Sequence, residues 1–138
     1  MPIIKSRAKL IEGFQIVVDD EKTHSLILDL PKETGTDLGP TALTLSVMSF
    51  AGCIATIFIL MAKKRRVEIK DLEINMEAEK PDDSNMIKKV DFTLTVTTDA
   101  NEKEINHLIR LTKEHCPVGQ LFLHADVEVD YEVKIERL

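Results

Sequence analysis

The sequence predicts an α+β fold, and three observations carry that prediction. Segments with strand character come in groups, three before residue 31 and two between 67 and 98, instead of alternating singly with helices. Between the groups, residues 38–62 run without a charge in a chain that is 30% charged. Residues 90–98 and 127–135 alternate apolar and polar side chains, the pattern of a sheet with one wet face.

Taken in order, residues 3–11 and 14–20 read as two strands joined at Glu12-Gly13, and 24–30 as a third after the turn-like DDEKT. Pro31 to Pro40 is a loop punctuated by Gly35 and Gly39. A long helix follows, opening near Pro40, where a missing N–H does no harm, and ending near Lys64. Being apolar on every side, it must be enclosed by something. The cations Lys63, Lys64, Arg65 and Arg66 suit the negative end of its dipole.

Residues 67–79 read as a strand whose apolar phase slips between Ile69 and Leu72, which predicts a bulge near Lys70-Asp71. After the strand at 90–98, Asn101 and Glu104 form a capping-box-like start. Ile105, Leu108, Ile109 and Thr112 then share one helical face. Cys116-Pro117 breaks that helix, a short further helix follows, and the alternating strand closes the chain.

Composition excludes several functions. With 138 residues, one domain is expected over 1–138. Net charge is −6 and the pI about 5.2, which argues against nucleic acid as a partner. Thr41, Thr44, Ser46, Ser49 and Thr56 make the uncharged run too polar for a membrane span, long as it is. MPIIKSRAKL lacks the apolar core of a signal peptide, and two cysteines are no disulfide framework. A cytoplasmic, mostly reduced protein is expected. There is no phosphate-binding glycine loop and no nucleophile elbow, and His115, Cys116 and His124 lack the spacing of a four-ligand metal site.

The chemistry therefore rests on the two thiols. Cys53 shares a face with Ser46, Ser49 and Thr56 inside the apolar helix. Taken alone it reads more readily as a buried structural cysteine. Cys116 precedes a proline suited to a first helical turn, so it is a candidate N-cap. A thiolate there would feel the positive end of the dipole, which lowers its pKa, and a protonated His115 would add to the effect.

GPTALTLSVMSFAGC, LMAKKRRVEIKDLEI and LTKEHCPVGQLF together resemble the osmotically inducible protein C (OsmC)/organic hydroperoxide resistance (Ohr) family. HSLILDLP with TDLGPTAL resembles its OsmC-like branch most. The resemblance implies intertwined homodimers of α+β subunits, with antiparallel sheets wrapped around a long central helix and no cofactor. It implies a thiol peroxidase in which Cys53 attacks an organic hydroperoxide, becomes a sulfenic acid and condenses with Cys116. A dithiol reductant, lipoyl-type in some members, then resets the pair. Phe50, Ile54 and Ile57 would line an alkyl-binding pocket. The family's activating Glu corresponds to Thr44, with Glu33 and Asp37 the nearest upstream carboxylates. Its Arg has no direct match, and Arg7 or His24 stand as accessory candidates. The alternative within the same fold is a redox sensor or a small apolar-ligand-binding protein without efficient turnover.

Overall fold

The elements run β1 (Arg7–Glu12), β2 (Gln15–Asp19), β3 (Ser25–Leu28), α1 (Ala42–Lys64), β4 (Asp71–Glu79), β5 (Lys89–Thr97), α2 (Glu102–His115), α3 (Pro117–His124) and β6 (Glu128–Glu136). They come from a computed structural model that describes residues 1–138. The chain separates into two compact units, residues 1–46 and 47–138. The α+β class and the order of elements are as the sequence predicts.

In the first unit β1, β2 and β3 form an antiparallel meander. The first strand begins at Arg7, four residues later than its apolar start suggests. Gly13 turns the chain at φ +56, a left-handed conformation that glycine adopts without strain. The loop after β3 is organised by Asp29, which is only 2% exposed. Its carboxylate accepts bonds from the Thr36 hydroxyl at 2.6 Å, the Leu30 N–H at 2.7 Å and the Leu38 N–H at 3.1 Å. Gly39 passes so close to Ile27 that a Cβ would overlap the Ile27 carbonyl. Among residues 1–46 Asp29 is the sole buried side chain, so this sheet has no apolar core of its own.

The long helix opens at Ala42, two places later than expected. Thr41 is its cap, with Oγ1 accepting the Thr44 N–H at 3.0 Å. Pro40 therefore lies before the cap, and its carbonyl accepts the Asp29 N–H at 3.1 Å.

In the second unit, Phe50, Ile54, Phe58, Met61 and Ala62 are the buried residues of α1. They recur every three or four positions and so form one stripe. The stripe joins Val90, Leu94 and Val96 of β5 and Ile105, Leu108 and Ile109 of α2 in one core. Each such side chain contributes about 1.5–3 kcal/mol by leaving water. The opposite face of α1 stays open: Met48 is 53% and Leu60 43% exposed, and nothing lies within 4 Å of a Cβ built on Gly52. One chain by itself therefore does not enclose this helix.

Two further expectations change. Strands β4 and β5 pair without a shift from Asp71↔Thr97 to Glu79↔Lys89, so there is no bulge at Lys70-Asp71. Val67 and Ile69 belong to the connector from α1, and the phase slip marks where the strand begins. The second sheet is also mixed: β4 and β5 are antiparallel, but β5 and β6 are parallel. A hairpin joins the first pair, whereas α2 and α3 form a crossover that returns the chain to the end where β5 began. Asn101 caps α2 through the Glu104 N–H at 2.8 Å, and Ile105, Leu108, Ile109 and Thr112 are buried together, as their spacing predicts.

Candidate active site

Both cysteines lie in the second unit. Cys53 sits in α1 beside the buried Phe50 and Ile54, and is itself half-buried. Cys116 occupies the junction of α2 and α3, where extended backbone (φ −79, ψ 106) makes it the C-cap of one helix and the N-cap of the next. Pro117 enforces that junction, because a proline cannot continue α2 but can begin α3. The Cys116 sulfur accepts the Gly119 N–H at 3.3 Å. The Cys53 thiol neighbours the same sulfur closely enough to influence its titration. Both thiols are free.

The N-cap position of Cys116 is as expected, but its acidity is not. Burial pushes the Cys116 thiol up from 9.0 to about 11, and the neighbouring Cys53 thiol adds to the rise. The Gly119 N–H pulls the other way and loses. A helix of eight residues offers little dipole against near-complete desolvation, since Cys116 is 2% exposed. Cys116 is thus held as a neutral thiol.

An apolar cavity of about 100 Å³ adjoins the pair. Phe50, Ile54, Leu94 and Val129 form part of its wall, and Cys116 lines it whereas Cys53 does not. Lys113 is the single charged residue in the lining, and its Nζ lies 4.7 Å from the centre of the Tyr131 ring. Phe50 stacks on Phe122 at 4.6 Å, which fixes one wall. Ile57, expected in the pocket, is not part of the cavity lining and instead packs against the main core.

The accessory candidates belong to the first unit and are engaged there. Arg7 pairs with Asp19 at 2.9 Å, and His24 with Asp20 at 2.6 Å. Glu33 lies in the loop after β3, where Asp37 adopts φ +54 and its N–H bonds the Leu30 carbonyl. Thr44 serves the start of α1, accepting the Thr41 hydroxyl at 3.0 Å. The structure thus brings together Cys53, Cys116, Phe50 and Ile54, and gives Arg7, His24, Asp37 and Thr44 partners within the first unit.

Sequence reasoning missed Lys113, Gly119 and Tyr131. Lys113 and Gly119 each stand three residues from Cys116, a helical spacing that flags neighbours. Nothing in the sequence flags Tyr131, which β6 supplies from the far side of the crossover. His115, Cys116 and His124 do not gather into a group able to hold a metal.

The model of the OsmC-like protein family matches residues 35–132, more than half of the chain. The chain belongs to the OsmC-like family. An OsmC-like protein from Mycoplasma pneumoniae superposes with a TM-score of 0.86 at 18% identity, over 98% of both chains. An organic hydroperoxide resistance protein OsmC from Legionella pneumophila gives 0.69 at 18% identity, over 99% of this chain and 98% of that one. One from Vibrio cholerae, with captopril in an active site, gives 0.67 at 18% identity over 98% and 93%. No curated protein matches the chain. At such identities the likeness establishes the OsmC-like fold.

Proposed function

We propose that this OsmC-like protein is a cysteine-based peroxidase that reduces organic hydroperoxides. The observation that carries the reading is that Cys53 of α1 neighbours Cys116 at the α2–α3 junction closely enough to raise its pKa. A thiolate at Cys53 attacks the peroxide O–O bond, releases the alcohol and becomes a sulfenic acid. The neighbouring Cys116 condenses with it, expelling water and forming a disulfide before further oxidation. Cys116 gives up its proton as its sulfur attacks, and that proton leaves with the departing hydroxide as water. A dithiol reductant of lipoyl or similar type restores both thiols. No cofactor is required. Membership of a family whose structural neighbours include hydroperoxide resistance proteins supports the assignment.

The apolar wall containing Phe50 and Ile54 favours an alkyl peroxide over hydrogen peroxide. Arg7, His24, Glu33, Asp37 and Thr44 remain the accessory candidates for activating Cys53.

We further propose that the two units act as one domain in an intertwined, cytoplasmic homodimer. Two observations support it. The first unit buries no apolar side chain, and a three-stranded sheet needs a covered face to persist. The open face of α1 exposes Met48 and Leu60 beside Gly52, whose missing side chain lets another helix approach closely.

The deciding experiment is peroxide consumption with a dithiol reductant, comparing cumene and tert-butyl hydroperoxides with hydrogen peroxide. Faster turnover of the alkyl peroxides supports the reading. Absence of turnover with all three overturns it.

A further inference from the structure

The cavity is lined by the wrong cysteine for a site that serves only the peroxide. Cys53 is absent from its wall, whereas Cys116 is part of it. In the reduced protein Cys116 is a neutral thiol. Its sulfur becomes an electrophile once it is half of a disulfide. The cavity therefore gives access to Cys116 in the oxidised enzyme, the state that awaits reduction.

We propose that the reductant enters this cavity and attacks the Cys116 sulfur, so that Cys53 is the first thiol released. This deepens the peroxidase reading and rests on it. A reductant thiolate forms a bond to Cys116 Sγ. The Cys53–Cys116 bond breaks, and its electron pair leaves on Cys53 as a thiolate. The second thiol of the reductant, as thiolate, then attacks the reductant sulfur held on Cys116. That step closes the reductant's own disulfide and expels Cys116, which takes up a proton. Two electrons pass from dithiol to protein, and no other redox partner is needed.

The order fits the chemistry of the two leaving groups. Exchange is slow when the departing thiol is weakly acidic. Burial and the Cys53 contact make Cys116 such a thiol. Attack at Cys53 would force Cys116 out in the intermolecular step. Attack at Cys116 postpones its departure to ring closure, where the nucleophile is tethered and the effective concentration is high. The lining also states a preference: an alkyl chain against Phe50, Ile54 and Leu94, with an anionic end reaching Lys113. A hydrophilic monothiol such as glutathione matches neither the wall nor the ring-closing step.

The test starts from the intramolecular disulfide, made with diamide so that it does not depend on peroxide turnover. It is mixed briefly with 6-mercaptohexanoate, an alkyl monothiol with a carboxylate end that cannot close a ring. The reaction is quenched in acid, free thiols are alkylated, and peptide mass spectrometry locates the adduct. We expect roughly tenfold more adduct on Cys116 than on Cys53, and slower capture by glutathione. Adduct mainly on Cys53, or divided evenly, overturns the proposal, as does failure of diamide to form the disulfide. A Leu123→Trp variant, which fills the rim of the cavity, should slow adduct formation severalfold; an unchanged rate also counts against it. If the adduct lands on Cys116 while alkyl peroxides never generate the disulfide, the peroxidase reading fails and the assignment of the cavity stands.

Discussion

The Cys116 sulfur accepts the Gly119 N–H at 3.3 Å and has the Cys53 thiol as its neighbour, so α1 and the α2–α3 junction meet at one atom. This couples the reactivity of the dithiol to the packing of α3, and the first prediction follows from it. A Cβ on Gly119 would lie 3.1 Å from Phe50 Cε1 and 3.2 Å from Cys116 Sγ. Phe50 and Cys116 are both buried and have little room to yield. Gly119→Ala should destabilise the protein by about 1–3 kcal/mol, measured by urea unfolding. It should also slow disulfide formation at a given peroxide concentration.

The two cysteines should fail differently when replaced. Cys53→Ser should reduce peroxide consumption to the uncatalysed rate. Cys116→Ser should retain one round of peroxide reduction and then accumulate over-oxidised Cys53, two or three oxygens heavier by intact mass. Equal loss in both variants without over-oxidation would remove the resolving role of Cys116.

The raised Cys116 pKa makes an alkaline prediction. The folded state holds the proton more tightly than the unfolded chain, so the stability from this group is complete below pH 9 and falls as pH rises toward about 11. Urea midpoints taken across that range should fall less steeply for Cys116→Ala than for the parent. Parallel slopes would contradict the burial argument.

Asp29 predicts the opposite behaviour in acid. The Thr36 hydroxyl, then the Leu38 and Leu30 N–H groups, hold its carboxyl at about 2 against an ordinary 3.8. Its contribution is present above pH 3.8 and is lost as pH falls through 2. Thr36→Val should raise the carboxyl pKa, followed by carbon-detected NMR, and should speed amide exchange at Leu38. A pKa that does not move would place the main cause elsewhere.

The open face of α1 gives a test of assembly. Gly52→Arg adds a long charged side chain where nothing in one chain obstructs it. If a second copy covers this face, the variant should elute as a monomer in size-exclusion chromatography with light scattering, and its first unit should lose amide protection. An unchanged dimer would move the interface elsewhere.

Much of this was legible in the residues. Grouped strand patterns determined the α+β class, because periodicity of two or of 3.6 follows from which side chains share a face. Asn101 and Pro117 determined where α2 and α3 begin, because capping and a missing N–H act within a few residues. The two Cys-containing segments and the glycine-proline before α1 carried the family resemblance.

The tertiary structure decided what local pattern cannot encode. Spacing places Cys116 at a helix N-terminus, which argues for an acidic thiol; only packing shows that desolvation outweighs the dipole there. The run from Ile69 to Leu72 reads as a bulge in isolation, but pairing with β5 shows that the strand simply starts at Asp71. The meeting of Cys53 with Cys116, and the presence of Lys113 and Tyr131 at one cavity, depend on a crossover that sets β6 beside β5. Sequence fixes contacts within a turn or two through backbone geometry. Contacts across the fold arise from burial shared by distant segments, and so appear only when the chain is closed.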